Sequence, residues 1–212
     1  MTVTDIRLNQ KNRKRVSVFV DNSFGFSCYI ETMQDEALRV GGEVTDDDIV
    51  RIRRLDGELY AWQAALRILD RGWSTERQMR EKLARREIDP EVIDTTVTRL
   101  HDCGLLNDAE YAERYAEQLY QKYGKWAVAQ KLRARGVPRD IVDEVCQSPG
   151  SEAVLVAQAA RLLERHRSEG DLFKRRQKVA RSLATRGFAY DDINRAIREC
   201  EEAQKKSDPY EE

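Results

Sequence analysis

The chain has 212 residues and a formal net charge of −1, with 41% hydrophobic and 35% charged residues. This composition is typical of a globular, helix-rich protein with a highly charged surface, and its length allows one large domain or a few small ones. Because the whole chain is not a polycation, any anion binding must come from a local patch.

Several function classes are disfavoured at once. Only four cysteines and two histidines are present, far apart and without a C-x-x-C pair, so we expect no metal site and buried or half-buried thiols in a reducing cytosol. No segment approaches the roughly 18 apolar residues of a membrane span, and "MTVTDIRLNQ" lacks the apolar core of a signal peptide. The composition therefore predicts a cytoplasmic protein without a membrane partner.

The first 56 residues differ from the rest of the chain. "DIRLN" and "RVSVFV" are short β-branched runs, and the turn signal "DNS" precedes the aromatic run "FGFSCYI". We predict a small antiparallel sheet or a hairpin over about residues 3–31. A helical segment follows, Gly41-Gly42 interrupts it, and Thr45 caps a new helix that begins "DDDIV". Residues 1–56 form the predicted N-terminal extension.

From about residue 57 onward the apolar residues follow a helical period. Three segments place apolar side chains at i, i+3, i+4 and i+7 or close to it, which predicts core-facing helix faces. The first contains Trp62, Ala65, Leu66 and Leu69; the second contains Ala112, Tyr115, Ala116, Leu119 and Tyr120; the third contains Val156, Ala159, Ala160 and Leu163.

A longer pattern repeats three times. "REKLARREIDPEVIDTTV", "AQKLRARGVPRDIVDEVC" and "ARSLATRGFAYDDINRAI" align without gaps at spacings of 49 and 51 residues. The aligned apolar positions are Leu83, Leu132 and Leu183; Ile88, Val137 and Phe188; Ile93, Val142 and Ile193; and Val97, Cys146 and Ile197. We therefore predict three tandem three-helix repeats, at 57–106, 107–149 and 150–200, and an acidic tail at 201–212.

Each repeat has a basic second helix and an acidic third helix. Gly136 and Gly187 suit the left-handed residue that ends a helix, whereas Glu87 suits it less well and predicts a different cap. Acidic residues in the first turn of the third helices favour the positive end of the helix dipole. The same carboxylates would repel phosphates, so a groove-reading third helix, as in helix-turn-helix proteins, is disfavoured.

Positive charge concentrates between Arg161 and Arg186, a segment that contains nine lysines and arginines but only three acidic residues. Such a patch can neutralise phosphates, although a merely solvated helix face is the simpler interpretation. A smaller basic group follows Trp126, which we expect in the core. The candidate filament- or DNA-binding residues are Lys174, Arg175, Arg176, Lys178, Arg181 and Arg186, together with Lys131, Arg133 and Arg135.

Motifs of catalysis do not stand out. The sequence has no Gly-rich phosphate loop, no G-x-S-x-G and no H-E-x-x-H, and "TDDDI" is more simply a helix cap and first turn than a metal site. We expect a protein that is not an enzyme and that holds no cofactor and no metal.

Two long segments resemble the family of the regulatory protein RecX. They are "ALRILDRGWSTERQMREKLARREIDPEVIDTTVTRLHDCGLLNDAEYAERYAEQL" and "GKWAVAQKLRARGV". The matching residues are Leu66, Leu69, Arg71, Ser74, Leu83, Gly104, Leu105, Asp108, Tyr111 and Ala112, then Gly124, Leu132, Arg135, Gly136 and Val137. The likeness covers about residues 57–200 and, more weakly, 1–56; Glu87 and the acidic tail depart from the pattern.

The resemblance implies a mainly α fold, with the repeats in an elongated, curved array along the groove of a RecA–DNA filament. It implies a non-catalytic regulator that suppresses RecA's ATP hydrolysis and strand exchange in recombinational DNA repair and the SOS response. The expected partner is the RecA nucleoprotein filament, with single- or double-stranded DNA bound directly as a further partner, and the protein is expected to be a monomer. The alternative is an independent nucleic-acid-binding module that uses the basic patch of the third repeat.

Overall fold

The computed structural model describes residues 1–147 and 152–207, and it is mainly helical with one small sheet. The strands are β1 (Val3–Leu8), β2 (Arg15–Val20) and β3 (Ser23–Tyr29). The helices in these residues are α1 (Ile30–Asp35), α2 (Asp46–Asp70), α3 (Glu76–Ala84), α4 (Pro90–Asp102), α5 (Asp108–Tyr120), α6 (Lys125–Arg135), α7 (Arg139–Val145), α8 (Glu152–Arg165), α9 (Leu172–Ala184) and α10 (Tyr190–Ser207).

The N-terminal sheet confirms the prediction for residues 3–31. It is antiparallel in the order β1-β2-β3, and its β2–β3 turn consists of Asp21 and Asn22. Both turn residues have positive φ, 48° and 64°, as the tight hairpin turn requires. Alternate residues of β2, namely Val16, Val18 and Val20, are buried and face the small core of this sheet.

Helix α2 begins where the sequence predicts and ties the sheet to the helices. The side chain of Thr45 accepts from the N–H of Asp48, and Asp48 accepts from the N–H of Thr45, which together form a capping box. Further along, the carboxylate of Asp56 accepts from Arg15 and from the N–H of Tyr29, both at 2.6 Å. Helix α2 is continuous across position 56, so one helix belongs to the sheet region and to the first repeat.

The three-helix repeats are confirmed. Helices α2, α3 and α4 enclose one apolar cluster, α5, α6 and α7 a second, and α8, α9 and α10 a third. Leu83, Leu132 and Leu183, which align in the sequence, are each fully buried in the cluster of their own repeat. The other aligned apolar positions are buried or half-buried in the same clusters.

Two predicted core residues are instead exposed. Leu66 is 38% exposed because the buried face of α2 is formed by Ala61, Ala64, Ala65 and Ile68, and Leu66 lies one residue beyond it. Trp126 is 66% exposed, because the buried face of α6 is formed by Val128, Ala129 and Leu132; its backbone N–H donates to the carbonyl of Gly187 at 3.2 Å. In both helices the buried face is rotated about the helix axis relative to the face that the sequence predicted.

The turn after the second helix has the same conformation in all three repeats. Glu87, Gly136 and Gly187 have φ of 58°, 89° and 83°. The prediction of a different cap at Glu87 was therefore wrong: the first repeat forms the same left-handed turn with a residue that disfavours it. For a non-glycine residue this conformation costs about 1–2 kcal/mol.

The chain divides into two compact units. The first contains residues 1–74 and 79–106, and the second contains residues 75–78 and the chain from Asn107 onward. Residues 75–78, at the start of α3, thus belong with the second unit. Of the predicted acidic tail, residues 201–207 continue α10, while 208–212 lie outside the described residues, as does the predicted boundary at 149–150.

Two similar joints stabilise the second unit, and in each the start of a second helix meets the turn of the next repeat. In the first joint, Thr75 Oγ1 donates to the carbonyl of Arg135 at 2.8 Å, and Arg77 Nη2 donates to the carbonyl of Ala134 at 2.9 Å. In the second joint, the N–H of Gly124 donates to the carbonyl of Arg186 at 2.9 Å, beside the bond from Trp126 to Gly187.

Candidate functional site

The predicted basic patch lies on α9, and most of its charges already have partners. Arg176 forms a bidentate ion pair with Glu201, whose bonding raises the pKa of the guanidinium. Lys178 pairs with Glu169 and lowers the pKa of that carboxyl. Lys174 lies 3.8 Å from Asp171, the residue that caps α9. The positive charge of this helix is therefore largely balanced by neighbouring carboxylates.

Two further arginines of the predicted set have structural contacts. Arg175 donates through Nε and Nη2 to the carbonyl of Leu163, at 3.1 and 2.7 Å, and so satisfies a carbonyl near the end of α8. Arg186, at the end of the third-repeat turn, donates to Gln158 Oε1 at 2.5 Å. By contrast, Arg181 is exposed on α9.

The smaller basic group on α6 is divided among three contacts. Lys131 Nζ lies 4.4 Å from the centre of the Tyr123 ring, and the guanidinium of Arg135 lies 5.4 Å from that of Tyr115. Arg133 lies 3.4 Å from Asp143 on α7. Each of these three side chains therefore already has a contact of its own.

Ion pairs between helices give the charge split a second explanation besides the helix dipole. The basic second helix pairs with the acidic third helix in every repeat: Arg80 with Asp94, Arg133 with Asp143, and Arg176 with Glu201. Each such surface pair contributes only about 0–1 kcal/mol. The split thus follows from helix starts and helix–helix pairing, and it does not require an anionic ligand.

The structure brings together a different set of cations in an open groove of about 940 Å³ within the second unit. One wall is the segment between α5 and α6, with Lys122 and Tyr123, and the other is α8, with Arg161 and Arg165. Arg186 also lines the groove, which makes it the one predicted residue among the lining side chains, and Glu164 is the one carboxylate among them. Sequence reasoning missed this set because Lys122 and Arg161 are distant along the chain.

Other candidate chemistry receives less support. The four cysteines are free; Cys28, Cys146 and Cys200 are buried, and burial raises the pKa of Cys28 to about 11. Cys103 is exposed just after α4, which corrects the expectation that every thiol is buried or half-buried. Within residues 1–147 and 152–207, no three His, Cys, Asp or Glu side chains are grouped as metal ligands. None of the helices described there is both long and apolar enough to cross a membrane.

Comparison with known proteins gives a consistent family assignment. The RecX N-terminal domain matches residues 1–45, and the first, second and third RecX three-helix domains match residues 61–100, 107–145 and 151–197. The "Regulatory protein RecX" of Clostridium acetobutylicum is 28% identical over 204 residues, which cover 93% of this chain and 95% of the relative. The "Regulatory protein RecX" of Listeria monocytogenes is 26% identical, and the match covers 94% of this chain and 76% of the relative.

Solved structures agree with the fold. A crystal structure of regulatory protein RecX superimposes with a TM-score of 0.70 at 22% identity and covers 93% of this chain and 98% of the other. The crystal structure of RecX from Lactobacillus salivarius gives a TM-score of 0.64 at 26% identity, and the superposition covers 69% of this chain and 98% of the other. The four matching domains, in order along the chain, show that it belongs to the RecX family of regulatory proteins.

Proposed function

We propose that this protein regulates the RecA recombinase by binding in the groove of the RecA–DNA filament and suppressing its ATP hydrolysis and strand exchange. The observation that carries the proposal is the match of all four RecX domains, in order, along almost the whole chain. Tandem repeats suit such a target, because each repeat can contact a different protomer of a filament.

The joint between the second and third repeats supports this role. Because the bonds from Gly124 and Trp126 run from backbone to backbone, the two repeats are held without depending on flexible side chains. A fixed pair of repeats loses little conformational freedom when it binds, which favours attachment along several protomers of a filament.

The proposal is tested by titrating the protein into RecA's DNA-dependent ATPase reaction and, in parallel, into a strand-exchange reaction. We expect both activities to fall as the protein approaches RecA in concentration. Unchanged activities at several-fold excess over RecA would refute the proposal. A second series at saturating single-stranded DNA separates filament binding from simple competition for DNA, because only competition is relieved by added DNA.

The alternative is an independent nucleic-acid-binding module that uses the α9 patch. It predicts salt-dependent DNA binding without RecA, lost when Lys174, Lys178 and Arg181 are replaced by glutamine. The ion pairs of Lys178 and Arg176 weigh against it, since phosphate would have to displace carboxylates that already neutralise these side chains.

A further inference from the structure

We propose that the groove between α8 and the α5–α6 segment, rather than the basic face of α9, binds the phosphodiester backbone of single-stranded nucleic acid. The groove measures about 940 Å³, and its charged lining residues are Lys122, Arg161, Arg165, Arg186 and Glu164. This binding requires no other protein, so it stands independently of the role toward RecA.

The first support is unbalanced charge. Four cations line the groove against one carboxylate, which leaves an excess of three positive charges. Glu164 is itself within 3.5 Å of Arg167. Lys122, Arg161 and Arg165 are exposed, and no carboxylate in the described residues forms an ion pair with them. Phosphates entering the groove would meet cations that need not first release a partner, whereas on α9 they would have to break ion pairs.

The second support is the spacing and fixation of these cations. Arg161 and Arg165 are four residues apart on α8, so they lie on the same helix face with Cβ atoms about 5–6 Å apart. Two guanidinium groups at this spacing can each bind a phosphate of the same strand. Across the groove, Gln158 orients Arg186, whose remaining N–H groups can still donate.

The third support is that Arg186 is hydrogen-bonded to both walls of the groove. The carbonyl of Arg186 accepts from the N–H of Gly124, which directly follows Lys122 and Tyr123 in the chain. The guanidinium of the same arginine donates to Gln158 Oε1 on α8, so Arg186 connects one wall through its backbone and the other through its side chain. A site built in this way is preorganised and loses little ordering entropy when a strand binds.

The fourth support is an aromatic ring at the edge of the cationic track. Tyr123 is half-buried in the groove wall, and Lys131 Nζ lies 4.4 Å from its ring centre. Sites for single strands combine a positive groove with aromatic side chains that stack on unpaired bases. A duplex keeps its bases paired and stacked and cannot use the ring, so we expect a preference for single strands.

The test is direct binding of a fluorescein-labelled oligo(dT) of about 20 nucleotides, followed by anisotropy across a salt series without RecA. The groove variant K122Q/R161Q/R165Q is compared with the matched control K174Q/K178Q/R181Q. The control also removes three positive charges, but from α9. We expect the groove variant to lose more than about tenfold in affinity and its salt slope to fall by about 2, from 0.7 per phosphate contact. The control should stay within about threefold of the unaltered protein.

Equal losses in the two variants would overturn the assignment, because bulk charge would then explain the binding. Unchanged binding by the groove variant would overturn it as well. Circular dichroism checks that both variants retain their helix content. A duplex of the same sequence length and an oligo(U) strand are titrated alongside: tighter duplex binding would contradict the single-strand preference, while the oligo(U) result shows whether DNA and RNA are both ligands.

The same variants separate this proposal from the RecA role. A groove variant that loses DNA binding but still suppresses the RecA ATPase supports the groove as a DNA site and places the filament contact elsewhere. A protein that binds oligo(dT) through the groove but leaves RecA unaffected supports the groove and refutes the regulatory role.

Discussion

The two joints of the second unit solve one packing problem with different atoms. In the joint of Gly124 and Gly187, backbone meets backbone, and a Cβ on either glycine would overlap main-chain atoms of the other segment. In the joint of Thr75 and Gly136, side chains reach across: a Cβ on Gly136 would meet the side chain of Arg77. A joint made by backbone atoms therefore tolerates no added atom, whereas a joint made by side chains can adjust.

The largest expected effect is that of Gly187→Ala. The alanine would adopt a left-handed φ and would force apart the backbone of Ala127, so we expect a loss of about 3 kcal/mol in the free energy of unfolding. Urea denaturation measures the loss, and hydrogen exchange of the Trp126 amide reports whether the joint itself opens. Gly170→Ala is the control, because no atom lies within 4 Å of its Cβ position. Equal effects at the two positions would show that the close approach is unimportant.

Gly136→Ala should lower the free energy of unfolding by less, about 2 kcal/mol. The alanine has the same left-handed φ as at position 187, but the atoms in its way belong to a side chain, which can move. A double-mutant cycle with Arg77→Ala checks this explanation. The second change removes Nε and Cδ but keeps Cβ, so we expect a coupling of about 1 kcal/mol that reduces the combined loss. Strict additivity would mean that Arg77 is not the obstruction.

Thr75→Val tests the other side chain of the joint between α3 and the turn at Gly136. Thr75 Oγ1 donates to the carbonyl of Arg135 and accepts from the N–H of Gln78, so the valine loses a bond across the joint and a helix cap. We expect a loss of about 1.5 kcal/mol by denaturation. Thr75→Ser keeps both bonds and should retain nearly full stability; a serine variant as unstable as the valine variant would rule out the hydrogen bonds as the cause.

Glu87→Gly should give the smallest effect, and one of opposite sign. Glycine relieves the left-handed strain but gains freedom in the unfolded chain, so we expect a net stabilisation of about 0.5 kcal/mol. Because Glu87 also places a negative charge at the carbonyl end of α3, Glu87→Ala serves as control: it removes the charge and keeps the strain. If the alanine variant gains as much as the glycine variant, charge and not backbone strain is responsible.

The sequence predicted what depends on local chemistry. The β2–β3 turn, the cap at Thr45, the three repeats and their aligned core positions all follow from turn residues, caps and apolar period. The left-handed turn at Glu87 could not be predicted, because glutamate disfavours the conformation that the surrounding repeat imposes on it.

The candidate site was less predictable, because it depends on contacts between repeats. A count of charges found the basic segment from Arg161 to Arg186, but it could not show that Arg176 and Lys178 are paired with carboxylates. Nor could it show that Lys122 and Arg161, which are distant along the chain, line the same groove.

The joints also give the second repeat a direction. The start of its second helix donates from the N–H of Gly124 to Arg186, and the carbonyls of Ala134 and Arg135 at its turn accept from Arg77 and Thr75. Because this repeat carries both a donating end and an accepting end, the bonding pattern itself sets no limit to the number of such repeats. A duplicate of residues 107–147, spliced between the second and third repeats with a linker, would find an acceptor for its donors and a donor for its acceptors, which makes this fold extensible one repeat at a time.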